Sequence, residues 1–196
     1  FKAMAEELKK SIADIKKAIE INPKCIEIYR LIIHFNRLLG YYDENLKIFE
    51  KTLEVCPLCF EIKDEFFYSI TPRWGGTYEE MQKYINYLKK FSNPKFKLFE
   101  GFIDLDKADL LLENKKYEEA LSLIQKILFI GDYWRFYYEK ALIERKMKYY
   151  ESALNDTDKA LLLYPQNIDC LLLKAYIYKD KKMYEFASKE LLLILK

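Results

Sequence analysis

Turn-forming residues are scarce in this chain of 196, which has five glycines and five prolines. With abundant Leu, Ile, Lys, Glu and Tyr, that scarcity fits an all-helical protein with short connections. A dominant charge is also missing: 33 basic residues stand against 31 acidic ones, and the net charge of +2 gives no global case for a nucleic-acid partner. No apolar run approaches the roughly 18 residues of a membrane span. The start, FKAMAEELKK, carries no secretory hydrophobic segment. Because the first residue is Phe and not Met, a trimmed or processed chain is the expectation; a cytoplasmic setting is favoured, while a secreted or periplasmic one stays open. Hydrophobic residues, at 51%, suffice for a substantial core.

A period is present. Pro23 and Pro57 stand 34 residues apart, and between them two amphipathic helical patterns flank a turn at Gly40-Tyr41. Tyr117-Glu118-Glu119-Ala120, Tyr150-Glu151-Ser152-Ala153 and Tyr184-Glu185-Phe186-Ala187 repeat one phrase at intervals of 33 and 34 residues. Ala18 with Pro23 and Ala160 with Pro165 repeat a closing pair. A leading helix over 4–22 shows the stripe Leu8, Ile12, Ile15, Ile19. Five helical pairs and this leader give about eleven helices, each pair burying its face against its neighbours. Asn45, Ile33 and Thr52 are bulky where small residues are expected, which predicts a slightly opened hairpin. From 60 to 101 the phase is lost, and SITPRWGGT at 69–77 replaces a plain turn. Pro72 should stop the preceding helix near Ile70, Thr77 with Glu80 reads as a capping box, and a long helix is expected over 95–114.

These landmarks resemble the tetratricopeptide repeat family: Tyr29 early in a first helix, Gly40 at the turn, Tyr42 opening the second helix, Phe49 within it and Pro57 closing. The resemblance covers nearly the whole chain, closely over 24–57 and 117–187 and poorly over 60–101. It implies an all-α, right-handed α-solenoid, a single domain 1–196 of units at about 4–23, 24–57, 58–92, 95–131, 132–165 and 166–196. It implies a non-enzymatic protein-protein interaction scaffold that takes a peptide or partner protein in a concave groove, with no cofactor. Pro72-Arg73-Trp74-Gly75-Gly76-Thr77-Tyr78, followed by Met81, resembles a stretch of an uncharacterised bacterial family with repeat-like helices, and no activity follows from it. On their own chemistry, Pro72, Trp74, Gly75 and Gly76 predict a rigid corner, with both glycines free to take positive φ and Trp74 inserted between two halves of the chain.

The resemblance also implies which residues face the groove. They are Arg30, His34 and Arg37, then Arg135, Tyr138, Leu142 and Arg145, then Asp169, Leu172, Tyr176 and Lys179. This set differs from the Lys/Asn carboxylate clamp of chaperone-binding relatives. It is an apolar and aromatic strip with flanking arginines, suited to an amphipathic or extended peptide of some acidic character. Tyr138, Leu142 and Tyr176 are expected as exposed anchors.

Cys56-Pro57-Leu58-Cys59 has the spacing of a redox pair or of half a zinc site. The residues favour structural thiols, because Pro57 is the closing proline and Cys59 repeats the place of Cys25. A thiol-dependent redox or metal protein is the rival reading. Zinc would need further ligands, and Cys25, Cys170 and His34 are not paired at ligand spacing. His34, the single histidine, has no nucleophile placed beside it by any motif and reads as a polar groove residue. Glu118, Glu119, Glu151 and Glu185 fall at helix starts, where they complement the helix dipole. Gly75-Gly76 lacks the Lys-Ser/Thr of a phosphate loop. Lys115-Lys116, Lys146 with Lys148, and Lys181-Lys182 recur at turns, so RNA or polyanion binding on a lysine-rich edge is a weaker alternative. Phe186 and Leu191 to Leu195 make the last helix apolar nearly all round; a capping helix or a second chain should cover it, and self-association is the expectation.

Overall fold

The computed structural model describes residues 2–195, with side chains from residue 3 onward. Among these residues lie eleven α-helices and no strand: α1 (Lys2–Ile21), α2 (Ile26–Leu39), α3 (Tyr42–Val55), α4 (Phe60–Ser69), α5 (Tyr78–Leu88), α6 (Phe102–Glu113), α7 (Tyr117–Leu128), α8 (Trp134–Lys146), α9 (Tyr150–Leu163), α10 (Ile168–Asp180) and α11 (Tyr184–Ile194). Two 3-10 segments, Pro72–Trp74 and Pro94–Gly101, punctuate them. The fold is the all-α solenoid class that the period predicts. One element differs: the long helix expected over 95–114 is a 3-10 stretch followed by α6. Phe96, Phe99 and Phe102 explain the change, because side chains three apart eclipse on a 3-10 helix and all three rings are buried.

The chain divides into two compact units, Phe1–Ile103 and Asp104–Lys196. The second keeps strict register. Ala108, Ala141 and Ala175 lie on its first helices and Ala120, Ala153 and Ala187 on its second helices, twelve residues later in each hairpin and all buried. Small residues there let the paired helices approach closely, and larger neighbours fill the flanks. The α8–α9 pair adds a buried polar network. Lys140 Nζ donates to Glu144 Oε1 at 2.8 Å and pairs with Asp156, Ser152 Oγ donates to Glu144 Oε1 at 2.7 Å, and Lys159 reaches Asp156 at 3.0 Å.

The first unit solves the same crossing with different chemistry. Ile33 and Asn45, also twelve apart, occupy it, and Asn45 Nδ2 donates to the Ile33 carbonyl at 3.1 Å. Thr52 Oγ1 donates to the Phe49 carbonyl at 2.7 Å, so the two polar departures from small residues each make a hydrogen bond. The rest of this core is aromatic. Phe49 stacks on Phe66 at 4.0 Å with Tyr84 edge-on to both at 5.1 Å, while Phe99 stacks on Phe60 at 4.8 Å and on Phe67 at 4.6 Å.

Four helix ends share one turn. At Gly40, Lys115, Lys148 and Lys182 the backbone is left-handed, with φ of 73°, 61°, 67° and 63°. In each, the next residue's N–H donates to a carbonyl five residues earlier: Tyr41 to Asn36, Lys116 to Leu111, Tyr149 to Glu144 and Met183 to Tyr178. This is the Schellman arrangement, which glycine adopts without strain and lysine does not.

Candidate functional site

In the second unit the first helices α8 and α10 carry the expected groove residues. Trp134, half-buried at the start of α8, meets Tyr138 at 6.2 Å and Tyr164 at 5.7 Å, and the Arg135 guanidinium lies over its ring at 5.1 Å. Tyr138 and Leu142 stand one turn apart and are half-buried, packed against Ala141, Ala153, Leu173 and Ile177. Burial drives the Tyr138 phenol well above its ordinary value, with the carboxylates of Glu139 and Asp169 adding to the effect. Two of the three expected free anchors are therefore partly core, because the alanines at the crossing leave a hollow that flanking large side chains fill. Tyr176 is the exposed one, at 46%. Arg145 lies over the Tyr176 ring at 5.1 Å, and its Nε donates to Asp180 Oδ2 at 2.7 Å. Leu172 is half-buried one turn before Tyr176.

In the first unit, Arg30 donates to Glu27 at 2.8 Å. His34 Nδ1 receives a hydrogen bond from Arg37 Nη2 at 2.9 Å and lies 3.2 Å from Glu65 Oε1. Arg37 is not outward-facing as expected. Its side chain is buried, with the guanidinium over the Tyr68 ring at 4.5 Å and the Trp74 ring at 4.8 Å. The ring contact of Trp74 is thus with α2 of its own unit. Pro72 opens the 3-10 turn, and the Thr71 carbonyl accepts from Trp74 N at 2.9 Å and from Gly76 N at 3.3 Å. The two glycines serve different ends. Gly75 takes φ +99°, whereas a Cβ on Gly76 would sit 2.0 Å from the Ile70 carbonyl oxygen. The expectation of positive φ at both is corrected: Gly76 is needed for close approach. Thr77 caps α5 as expected, accepting from Glu80 N at 3.1 Å.

Cys56 and Cys59 are joined in a disulfide, which corrects the expectation of two structural thiols. The turn between α3 and α4 brings their Cα atoms to 5.5 Å. Cys25 and Cys170 are free. Among the described residues no group of three or more His, Cys, Asp or Glu could hold a metal ion. None of the described helices is long and apolar enough to cross a membrane. Of the turn lysines, Lys116 pairs with Glu119 and Lys181 with Glu151, while Lys115, Lys146, Lys148 and Lys182 are exposed.

One surface was missed from the sequence. Lys83, Tyr84, Asn86 and Tyr87 of α5, with Lys90 just after it, line an open depression of about 320 Å³, with Lys90 Nζ over the Tyr87 ring at 4.8 Å. Its residues recur at three and four, a signal that on its own reads as an ordinary amphipathic helix.

A hairpin repeat of 33–34 residues with alanines at the helix crossing defines a helical-repeat fold of tetratricopeptide type. Residues 42–88, which include the Pro72 corner and the disulfide, match the family described as a domain of unknown function (DUF4034). A monomeric mutant of IFIT1 solved with Gppp-AAAA has a TM-score of 0.50 at 15% identity, covering 96% of this chain and 46% of that one. This chain therefore spans about half the length of that protein. MamA from Desulfovibrio magneticus RS-1 is 15% identical with a TM-score of 0.44, covering 99% of this chain and 90% of that one. YrrB, described as a tetratricopeptide repeat protein with an unusual peptide-binding site, is 14% identical with a TM-score of 0.44, covering 92% and 90%. No curated protein sequence matches the chain.

Proposed function

We propose that this protein is a non-enzymatic interaction scaffold that holds a peptide or partner protein on the first helices of its second unit. The observation that carries the reading is the strip from Trp134 through Tyr138 and Leu142 to Leu172 and Tyr176, flanked by Arg135 and Arg145. Tyr138 and Leu142 are fixed by their packing on the alanine crossing, and Tyr176 presents an exposed ring under a guanidinium. Rigid aromatic rings beside arginines are the side chains that dominate binding energy at protein interfaces. The favoured partner is an extended or amphipathic peptide with aromatic or leucine anchors and nearby carboxylates.

An array of immobilised peptides varying these two features tests it. Tyr176→Ser with Leu172→Ser should weaken binding of the selected peptides by about tenfold or more, as the loss of 1.4 kcal/mol or more at a hot spot requires. The melting temperature should stay close to that of the wild type. Equal binding by the variant would remove the strip from consideration. The apolar flank of α11, where Phe186, Leu192, Leu193 and Leu195 are exposed, supports self-association as a second property of the scaffold. Light scattering at high concentration checks this, and a monomeric mass counts against it.

A further inference from the structure

The disulfide turn is one that the fold makes three times directly before an α-helix, at the starts of α2, α4 and α10. Cys25 N donates to the Asn22 carbonyl, Cys59 N to the Cys56 carbonyl and Asn167 N to the Tyr164 carbonyl, each at 3.2 Å. Pro23, Pro57 and Pro165 occupy the second place of each turn. The backbone therefore brings the first and fourth residues together whatever their side chains, and only at 56–59 are both cysteine. This turn is also held by bonds that do not involve sulfur. Lys63 Nζ donates to the Cys56 carbonyl at 2.6 Å, and Asn93 Nδ2 donates to the Leu58 carbonyl at 2.7 Å. A turn fixed in this way keeps its two sulfurs adjacent when the bond between them opens.

Lys63 supplies the second observation. Its side chain is fully buried, and among the described residues its ammonium donates to the Cys56 carbonyl without any carboxylate partner. A buried cation lacking a counter-ion is costly. Burial pushes its pKa down to about 8, as expected for such a site. Opening the disulfide would create the missing anion within the same turn. Cys59 is the N-cap of α4, and its side chain makes no capping hydrogen bond. A thiolate at that place would face the first-turn N–H groups, which favour negative charge.

We infer that Cys56–Cys59 is a thiol–disulfide exchange site, with Lys63 as the positioning residue that stabilises its thiolate form. The co-reactants are thiols, either a dithiol protein or a small thiol of the glutathione class. A thiolate attacks Cys56 Sγ, the S–S bond breaks, and Cys59 leaves as thiolate. A second external thiolate attacks the external sulfur of the mixed disulfide and releases Cys56. Two external thiols are thereby oxidised to one disulfide and the pair takes up two electrons. Of the two protons given up, one stays on Cys56 and one goes to solvent. The remaining cysteines are unsuited to this chemistry: Cys25 faces Asn22 across its turn, and burial pushes the Cys170 thiol up to about 12.

The full chain, equilibrated in glutathione buffers of varied ratio, alkylated and analysed by peptide mass spectrometry, tests the inference. Cys56 and Cys59 should convert together as one two-electron couple, with the circular dichroism of both forms alike. In the reduced protein, Lys63→Met should slow iodoacetamide labelling of Cys59 at pH 7 by about tenfold, the consequence of a thiol pKa raised by about one unit. Lys63→Arg, which keeps the cation, should label within about twofold of the wild type. A pair that never forms the bridge, a reduced chain that loses its helical signal, or a folded Lys63→Met that labels at the wild-type rate would each overturn the proposal.

Discussion

Lys63 is the side chain least suited to where it sits, and that makes its titration readable. Its pKa in the folded chain, about 8, lies below the ordinary 10.5. Between those values the unfolded chain holds more protons, so stability rises with pH through that window. Below about pH 8 the cost of the buried charge is present in full. In the oxidised protein, Lys63→Met should raise stability at pH 7 by roughly 1 to 4 kcal/mol, with the gain shrinking as pH climbs from 8 towards 10.5. Thermal melts of both proteins across that range check it, and a gain independent of pH would mean that packing and not charge is responsible. The turn lysines give a second residue-scale prediction. Lys115, Lys148 and Lys182 take the left-handed conformation that Gly40 takes at the matching helix end. Replacing each by glycine should add about 0.4 to 1 kcal/mol, near the relief of αL strain less the entropy that glycine adds to the unfolded chain. Urea unfolding of the triple variant would show the sum, and a less stable triple variant would mean that the lysine side chains contribute contacts worth more than the strain.

At the scale of elements, the corner after α4 separates two glycine roles that the sequence leaves merged. Adjacent glycines after Pro72 read as two flexible positions, and nothing in the local string tells a left-handed φ from a close approach. The approach is to the Ile70 carbonyl, six residues earlier, so it depends on how the 3-10 turn folds back. Gly75→Ala meets open space and should cost about 1 to 2 kcal/mol of backbone strain. Gly76→Ala drives a methyl into backbone and should cost more, with Trp74→Ala between them at about 2 kcal/mol since the ring is half-buried. Equal melting temperatures for the two alanine variants would contradict this assignment. The α8–α9 hairpin offers the electrostatic counterpart. Asp156, buried against Lys140 and Lys159, should cost about 3 kcal/mol when changed to Asn, because Lys140 keeps only Glu144. The period placed this hairpin correctly, but its network was not legible. Lys140, Glu144 and Asp156 read from the string as ordinary surface charges, and only the crossing of the two helices puts them inside.

For the molecule as a whole, legibility follows the kind of core each unit has. Between Tyr117 and Ala187 the alanines of the crossings are spaced by the repeat itself, so the helical pairs and their register are legible in the string. From Phe60 to Phe102 the core is built of stacked rings, and a phenylalanine announces burial without saying which partner it will meet. That is why Phe96, Phe99 and Phe102 looked like part of one long α-helix. The partial burial of Tyr138 and Leu142 is illegible for a different reason: the depth of the hollow beside an alanine crossing is a tertiary property. The disulfide is not legible in the string, because the recurrence of the closing turn argues equally for two quiet thiols and for two sulfurs held together. The two core types carry a final prediction. Repeat proteins draw stability from nearest-neighbour stacking, so the effect of a substitution is felt first by the helices it touches. Phe66, fully buried between Phe49, Phe67 and Tyr84, should cost about 3 to 5 kcal/mol when changed to alanine. Hydrogen exchange followed by mass spectrometry should then show lost protection in α2 to α5, while α8 to α11, which rest on the alanine crossings, keep theirs. Protection lost to the same extent in both sets of helices would mean that the chain unfolds as one cooperative body, and the reading of two separately stabilised cores would fail.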